Sequence, residues 1–230
     1  MPTALVTGAN RGIGFGLARA LLDRGYEVIA TCRDAANAED LQRLKDEQPL
    51  LRIEELDVRA FTSIDALAER LGQLPIDLLV NNAAIIGHDR PFGSLDYAEW
   101  QDVLSTNLLG PVRLSERLLD NLVAGSRKQL VTISSGMGSI GTARDDFIAY
   151  RTSKAALNMA MRVLAANLRD QGITVGLITP GVVATEMSST LDKPKISVEV
   201  SVRGILKVIE SLSLQDSGTF IRYNGEPVSW

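Results

Sequence analysis

The sequence predicts an α/β protein built on one doubly wound, seven-stranded, mostly parallel sheet with helices on both faces. The first observation is a rhythm: short runs rich in Val, Ile and Leu alternate with longer segments of helical period, as repeated strand-helix units do. The second is that these runs read as buried on both faces, the habit of parallel strands covered by helices.

The strand runs are Thr3 to Thr7, Glu27 to Thr31, Leu51 to Leu56, Ile76 to Asn81, Lys128 to Ser134, Ile173 to Thr179 and Gly218 to Arg222. Between them, apolar residues recur at helical spacing: Ile13, Leu17, Ala20 and Leu21; Ile64, Leu67, Ala68 and Leu71; Val202, Ile205, Leu206 and Ile209. Each set lays one stripe toward a sheet. The longest helical patterns flank the fifth strand, with Leu108, Val112, Leu119 and Leu122 before it and Leu157, Met161, Leu164 and Leu168 after it. The later pattern also carries Ala155, Ala156, Ala160, Ala165 and Ala166, which fits either helix propensity alone or close packing against a second subunit.

The 230 residues are 45% apolar and 23% charged. One domain spanning 1-230 is expected, burying roughly 70% of the surface of its unfolded chain. Twenty-four Lys and Arg against 28 Asp and Glu give a net charge of -4 with no basic block, which argues against nucleic-acid or anionic-membrane partners. A lone cysteine, Cys32, forms no internal disulfide and reads as a small buried hydrophobe. With no leader-like or 18-residue apolar stretch at the start of the chain, the expected compartment is the cytoplasm. No Cys/His cluster suggests a metal, and the single histidine, His88, reads as an exposed loop residue. Thr185 to Pro194 mixes Ser, Thr, Lys and Pro without periodicity, so residues 185-197 are expected to form a substrate loop or lid over an open pocket.

Directly after the first strand comes Thr7-Gly8-Ala9-Asn10-Arg11-Gly12-Ile13-Gly14. Its glycines allow a ligand to approach the main chain, and the turn opens a helix whose free N-H groups favour an anion. A dinucleotide pyrophosphate fits there, with Gly8, Asn10, Arg11, Gly12, Ile13 and Gly14 as its expected contacts. At the end of the second strand, an acidic residue would bond the ribose of NAD, whereas a basic one accommodates the 2'-phosphate of NADP. The chain reads Thr31-Cys32-Arg33-Asp34. Arg33, joined by Arg11, favours NADP over NAD. The plainer reading is two solvated surface arginines, with Asp34 neutralising Arg33 or itself approaching the ribose.

Tyr150 and Lys154 lie four residues apart at the start of the longest helical pattern, hence on one face. An ammonium so close is expected to draw the phenol pKa down from about 10, suiting it to general acid/base work on a carbonyl or alcohol oxygen. The fifth strand ends Ser134-Ser135. Ser135, the first residue beyond it, is preferred as the hydroxyl that bonds a substrate oxygen.

In this order the motifs resemble the short-chain dehydrogenase/reductase family across essentially the whole chain. They comprise Thr-Gly-x-x-x-Gly-x-Gly, which is one residue looser at its first step than the usual dinucleotide fingerprint; Asp57-Val58; Asn81-Asn82-Ala83-Ala84; Asn107; Ser135; Tyr150 with Lys154; and Pro180-Gly181 with Thr185. The length, the Tyr150 to Met159 run and the ending Asn224 to Trp230 look most like the C-factor and sniffer-type carbonyl reductases within the family.

The resemblance implies a Rossmann-type fold and hydride transfer between NADPH and a ketone, aldehyde or secondary alcohol, with Asn107, Ser135, Tyr150 and Lys154 catalytic. Asn107, expected early in the helix before the fifth strand, would hold a water on the lysine, although a helix bend or cap would also explain it. Asp57 would bond the adenine amino group, although a bare aspartate there also suits a turn; Val58 would lie beside it. Asn82 and Ala83 would line the adenosine side. Pro180, Gly181, Val183 and Thr185 would cradle the nicotinamide, and Tyr150 and Lys154 would also touch the cofactor. A homodimer or homotetramer through the helices flanking the fifth strand is implied as well. Two departures stand out: Ala84 replaces the family's usual glycine, and Ser135 precedes Tyr150 by 15 residues. That spacing is longer than usual, placing a short insertion within Ser139 to Asp146.

Two other readings remain at this point. A dinucleotide-binding redox sensor without turnover would have no need of a proton donor. A nucleotide-sugar epimerase or dehydratase would need a substrate domain where only about 50 residues follow Pro180.

Overall fold

A computed structural model describes residues 1–230. Seven strands form one all-parallel sheet: β1 (Thr3–Thr7), β2 (Glu27–Cys32), β3 (Leu51–Glu55), β4 (Leu78–Asn81), β5 (Gln129–Ile133), β6 (Thr174–Thr179) and β7 (Phe220–Arg222). Their order is β3-β2-β1-β4-β5-β6-β7. The order reverses beside β1, since β2 lies on one side of it and β4 on the other. This opens the crevice at the carboxyl edge where ligands of such sheets sit.

The helices are α1 (Gly12–Leu22), α2 (Glu39–Glu47), α3 (Phe61–Leu71), α4 (Tyr97–Leu104), α5 (Gly110–Arg117), α6 (Leu119–Ala124), α7 (Ile148–Asn167) and α8 (Val198–Ser211). Period-two alternation in the strands feeds two separate cores. Ala4, Val6, Val28, Val80 and Ile178 pack with Leu17, Leu21, Leu41, Val202 and Ile205 on the face of α1, α2 and α8. Leu5, Ile29, Leu79, Leu130 and Leu177 pack with Ile64, Leu67, Leu114, Leu122, Leu157 and Met161 on the other. Caps set where helices begin: Asp96 accepts from the amides of Ala98 and Glu99 at α4, and Ser197 accepts from Val200 at α8. No helix is long and apolar enough to cross a membrane.

The predicted strands all form, with ends shifted by one or two residues, but burial on both faces is confined to the inner five. β3 and β7, at the sheet edges, expose part of their residues, because each has a neighbour on one side only. The pattern before β5 is also more broken than expected. A π-helical turn, Ser105–Leu109, joins α4 to α5, and Leu118 separates α5 from α6. Helix α2 was not foreseen, because its apolar stripe is only Leu41 and Leu44.

Candidate active site

The turn after β1 is built for close approach. Gly8 and Gly12 adopt φ of +62° and +57°, which only glycine adopts without strain. A Cβ on Gly14 would fall 2.2 Å from the Gly8 carbonyl oxygen and 2.5 Å from Asn82 Nδ2. Helix α1 starts at Arg11 with no side-chain cap, so its first amides stay open toward the crevice. A cradle lacking side-chain bulk, floored by uncapped N-H groups, fits a pyrophosphate.

Behind the cradle, Thr7 and Asn82 lock β1 to β4. The Thr7 hydroxyl accepts from the amides of Asn82 (2.9 Å) and Ala83 (3.0 Å), while Asn82 Nδ2 donates to the carbonyls of Thr7 (2.8 Å) and Gly8 (3.2 Å). Asn82 therefore holds the shape of the turn. Thr7 opens the glycine motif in the sequence, but this locking role could not be read there.

Arg33 is exposed just beyond β2. Asp34 does not neutralise it, because its carboxylate accepts from the backbone and side-chain nitrogens of Asn37. Arg11 reaches the other way and pairs with Glu186 in the segment after β6, so the two arginines do not converge here. Asp57 accepts from the Arg59 amide and guanidinium. Burial pushes its carboxyl up, but the Arg59 bonds, helped by the charge of Arg33, hold it below the usual range. Cys32 is buried, as expected of a small hydrophobe, and burial raises its thiol.

At the other end of the crevice, β5 delivers Ser134 and Ser135. Ser134 Oγ donates to Asn158 Oδ1 of α7 at 2.5 Å and is buried, although the residue also lines the cavity. Ser135 Oγ accepts from Met137 N at 3.1 Å, capping a short 3-10 turn, and faces the cavity. Gly138 lets that turn lie against α7, where a Cβ would come within 2.9 Å of the Lys154 backbone. The longer Ser135–Tyr150 connection is absorbed outside, with Ile140 74% exposed. Phe147 then enters α7 in left-handed backbone, its amide donating to Asp89 Oδ1.

Tyr150 and Lys154 are both buried on the first turns of α7. Lys154 Nζ donates to the Ile133 carbonyl at 3.0 Å and lies 5.8 Å from the Tyr150 ring centroid. The expected lowering of the phenol pKa is not found. Burial pushes Tyr150 up, and only the nearby Ser135 hydroxyl acts against it. The ammonium itself is destabilised, its pKa lowered by burial to about 8.

This shift has a measurable consequence. Between about 8 and the ordinary lysine value near 10.4, the unfolded chain binds the proton that the folded chain releases, so stability rises with pH across that window. Tyr150 opposes this only above about pH 10, where the unfolded phenol ionises first. The denaturation midpoint of the ligand-free protein should climb from pH 8 toward 10, and Lys154→Met should flatten the climb.

Asn107 sits within the π turn, in the middle of the α4–α5 run rather than early in a helix, because that run already starts at Tyr97. Its amide is fully engaged: Oδ1 accepts from Ile85 N (2.9 Å), and Nδ2 donates to Ile85 O (2.8 Å) and Ser153 Oγ (3.0 Å). Its direct side-chain bonds thus run to the segment after β4 and to α7. The reading of Asn107 as a helix irregularity fits the π turn.

A cavity of about 390 Å³ opens between these groups, within the range of small-molecule sites. Ser135, Tyr150, Ile13, Pro180, Gly181, Val183 and Thr185 line it. So do Met187, Leu191 and Lys193 of the expected substrate loop, and Met137, Arg144, Arg151 and Arg222, which sequence reasoning did not single out. The segment after β6 forms one wall, pinned at its base by a bridge between Val183 and Ile196. His88 stays outside, exposed and bonded to Glu99.

A parallel sheet with reversed strand order, an open glycine turn at the reversal and a buried tyrosine-lysine pair across the crevice define a dinucleotide-dependent oxidoreductase fold. Residues 2–195 match the short chain dehydrogenase family, and the chain belongs to it. It is accordingly an NAD(P)-dependent oxidoreductase. Among similar proteins, the C-signal of Myxococcus xanthus is 39% identical over 160 aligned positions, spanning 68% of this chain and 93% of that protein. The 1-hydroxy-2-glutathionyl-2-methyl-3-butene dehydrogenase of Rhodococcus sp. strain AD45 is 33% identical over the whole of both chains. The NADPH-bound carbonyl reductase from chicken fatty liver superposes with a TM-score of 0.92 at 36% identity, covering 100% of this chain and 99% of that one. Carbonyl reductase Sniffer of D. melanogaster gives 0.94 at 31% identity over all of both chains.

Proposed function

We propose that the protein reduces a ketone or aldehyde with NADPH, or oxidises the corresponding secondary alcohol with NADP. The observation that carries this is a buried tyrosine at the wall of the cavity, beside Ser135 and one helical turn from Lys154. The glycine turn would hold the pyrophosphate, Arg33 the 2'-phosphate, and Gly181, Val183 and Thr185 the nicotinamide side. Pro180, Asp57, Val58, Asn82 and Ala83 complete the expected contacts. NADPH supplies the hydride when bound. Ser135 Oγ donates to the substrate carbonyl oxygen, and Tyr150 Oη delivers the proton that this oxygen gains. Lys154 stands one helical turn from the phenol, where it would touch the cofactor, and Asn107 fixes α7 through Ser153.

Residues 185–197 act as the substrate loop in this reading. The exposed apolar side chains Met159 and Val163 of α7, with Leu109 on the neighbouring helix run, support a homodimer or homotetramer. The buried, unpaired Cys32 suits a reducing cytoplasm. The test is oxidation of NADPH and NADH against a panel of aldehydes, ketones and quinones. NADPH should be preferred, and Arg33→Ala should lower that preference about tenfold, the scale of one charge-assisted contact. Tight NADPH binding without turnover on any member of the panel would overturn the reductase reading in favour of a sensor.

A further inference from the structure

The cavity beside Tyr150 is walled by apolar groups, yet its charged residues share one sign. Arg144, Arg151, Lys193 and Arg222 all line it, and no Asp or Glu does, although the chain as a whole carries a net charge of -4. Arg151 is consumed internally, mostly buried and ion-paired with Asp146 at 2.5 Å. Arg222 has only a loose partner, Glu226 at 3.9 Å. Arg144 and Lys193 are exposed and take part in none of the ion pairs, even with their sequence neighbours Asp145 and Asp192. Glu186, between the lining residues Thr185 and Met187, is taken up by Arg11.

These cations come from three separate segments: Arg144 from the excursion between Ser135 and α7, Lys193 from the loop after β6, and Arg222 from the end of β7. Cations brought together from three segments over low-dielectric walls focus a positive potential on the cavity. Met137, Met187 and Leu191 supply an apolar surface within the same cavity. We infer that the substrate is a carbonyl compound bearing a carboxylate, its carbonyl at Ser135 and Tyr150 and its carboxylate received by Arg144, Lys193 and Arg222. The inference rests on the reductase reading and adds the class of substrate to it.

The test compares 4-formylbenzoate with its neutral isostere 4-formylbenzamide. Wild-type protein with NADPH should favour the acid in kcat/KM by about tenfold, as one charge-assisted contact allows. The ratio should fall toward one in the double variant Arg144→Met/Lys193→Met, and should shrink as salt is raised. An NADPH-induced rise in melting temperature shows that the variant is folded. Saturation-transfer NMR of the same two compounds on the ligand-free protein reads the preference without turnover. A wild-type ratio near one, or a ratio untouched by the double substitution, overturns the inference. If neither aldehyde is reduced, the wider panel of aldehydes, ketones and quinones decides the reductase reading, and the NMR comparison still decides whether the cavity selects the anion.

Discussion

Tyr150→Phe is expected to lower kcat by about 10³-fold, the scale of a positioned general acid, while NADPH binding and thermal stability stay near wild type. The change removes one oxygen and keeps the ring that fills the space beside Lys154. Ser135 keeps its bond from the Met137 amide, so no buried donor is stranded. Turnover surviving at a tenth of the wild-type rate would remove the phenol from the proton path. The high phenol pKa of the ligand-free protein also sets the direction: a tyrosine that holds its proton at neutral pH is ready to donate to a carbonyl. As a base toward an alcohol it would have to lose the proton first, so oxidation should gain from alkaline pH more than reduction does.

The largest loss of stability is expected from Asp77→Ala, far from the cavity at the amino end of β4. Asp77 is 5% exposed, and its two oxygens accept from Thr3 N (2.7 Å), Ser126 N (2.7 Å) and Arg127 N (3.1 Å). One carboxylate thereby fastens the start of β1 to the connection entering β5. Alanine would leave three backbone donors unsatisfied together, a cost of about 3 kcal/mol or more. Urea unfolding at pH 7 would read this as a lower midpoint, and an unchanged midpoint would refute it. Burial pushes the Asp77 carboxyl up, but the three amides outweigh it and hold it below the ordinary value. Its contribution is therefore complete above about pH 4, the usual unfolded value, and is lost as pH falls through the depressed one. Asp77→Asn should remove that part of the acid sensitivity.

The sheet was legible because its inner strands are runs such as Ala4-Leu5-Val6 and Leu78-Leu79-Val80, whose burial on both faces leaves them no other place in a fold. The glycine turn and the Tyr150–Lys154 pair were legible for a related reason: their meaning lies in local spacing. What escaped depends on contacts between distant segments. Nothing near Arg11 announces that Glu186 will take its charge, and nothing near Tyr150 says that burial will raise its phenol despite the lysine one turn away. The cavity cations were invisible for the same reason. Arg144, Lys193 and Arg222 stand far apart in the chain, and although Lys193 falls in the expected substrate loop, nothing in the sequence joins the three. Asn107 was placed beside the site but in the wrong part of its helix, since a π turn has no periodicity of its own to read.

That π turn makes the count of residues matter between Tyr97 and Arg117. On one side of it, Trp100 Nε1 donates to Thr152 Oγ1 of α7; on the other, Arg113 and Arg117 pair with Asp65 of α3. Two helices thus face different partners across one turn that holds an extra residue. The turn works as a phase adjuster, letting both registers stand while Asn107 points inward. Deleting Leu109, 47% exposed at the end of the turn, would rotate one helix by about 100° against the other. In this stretch the length of the chain is constrained more tightly than its letters.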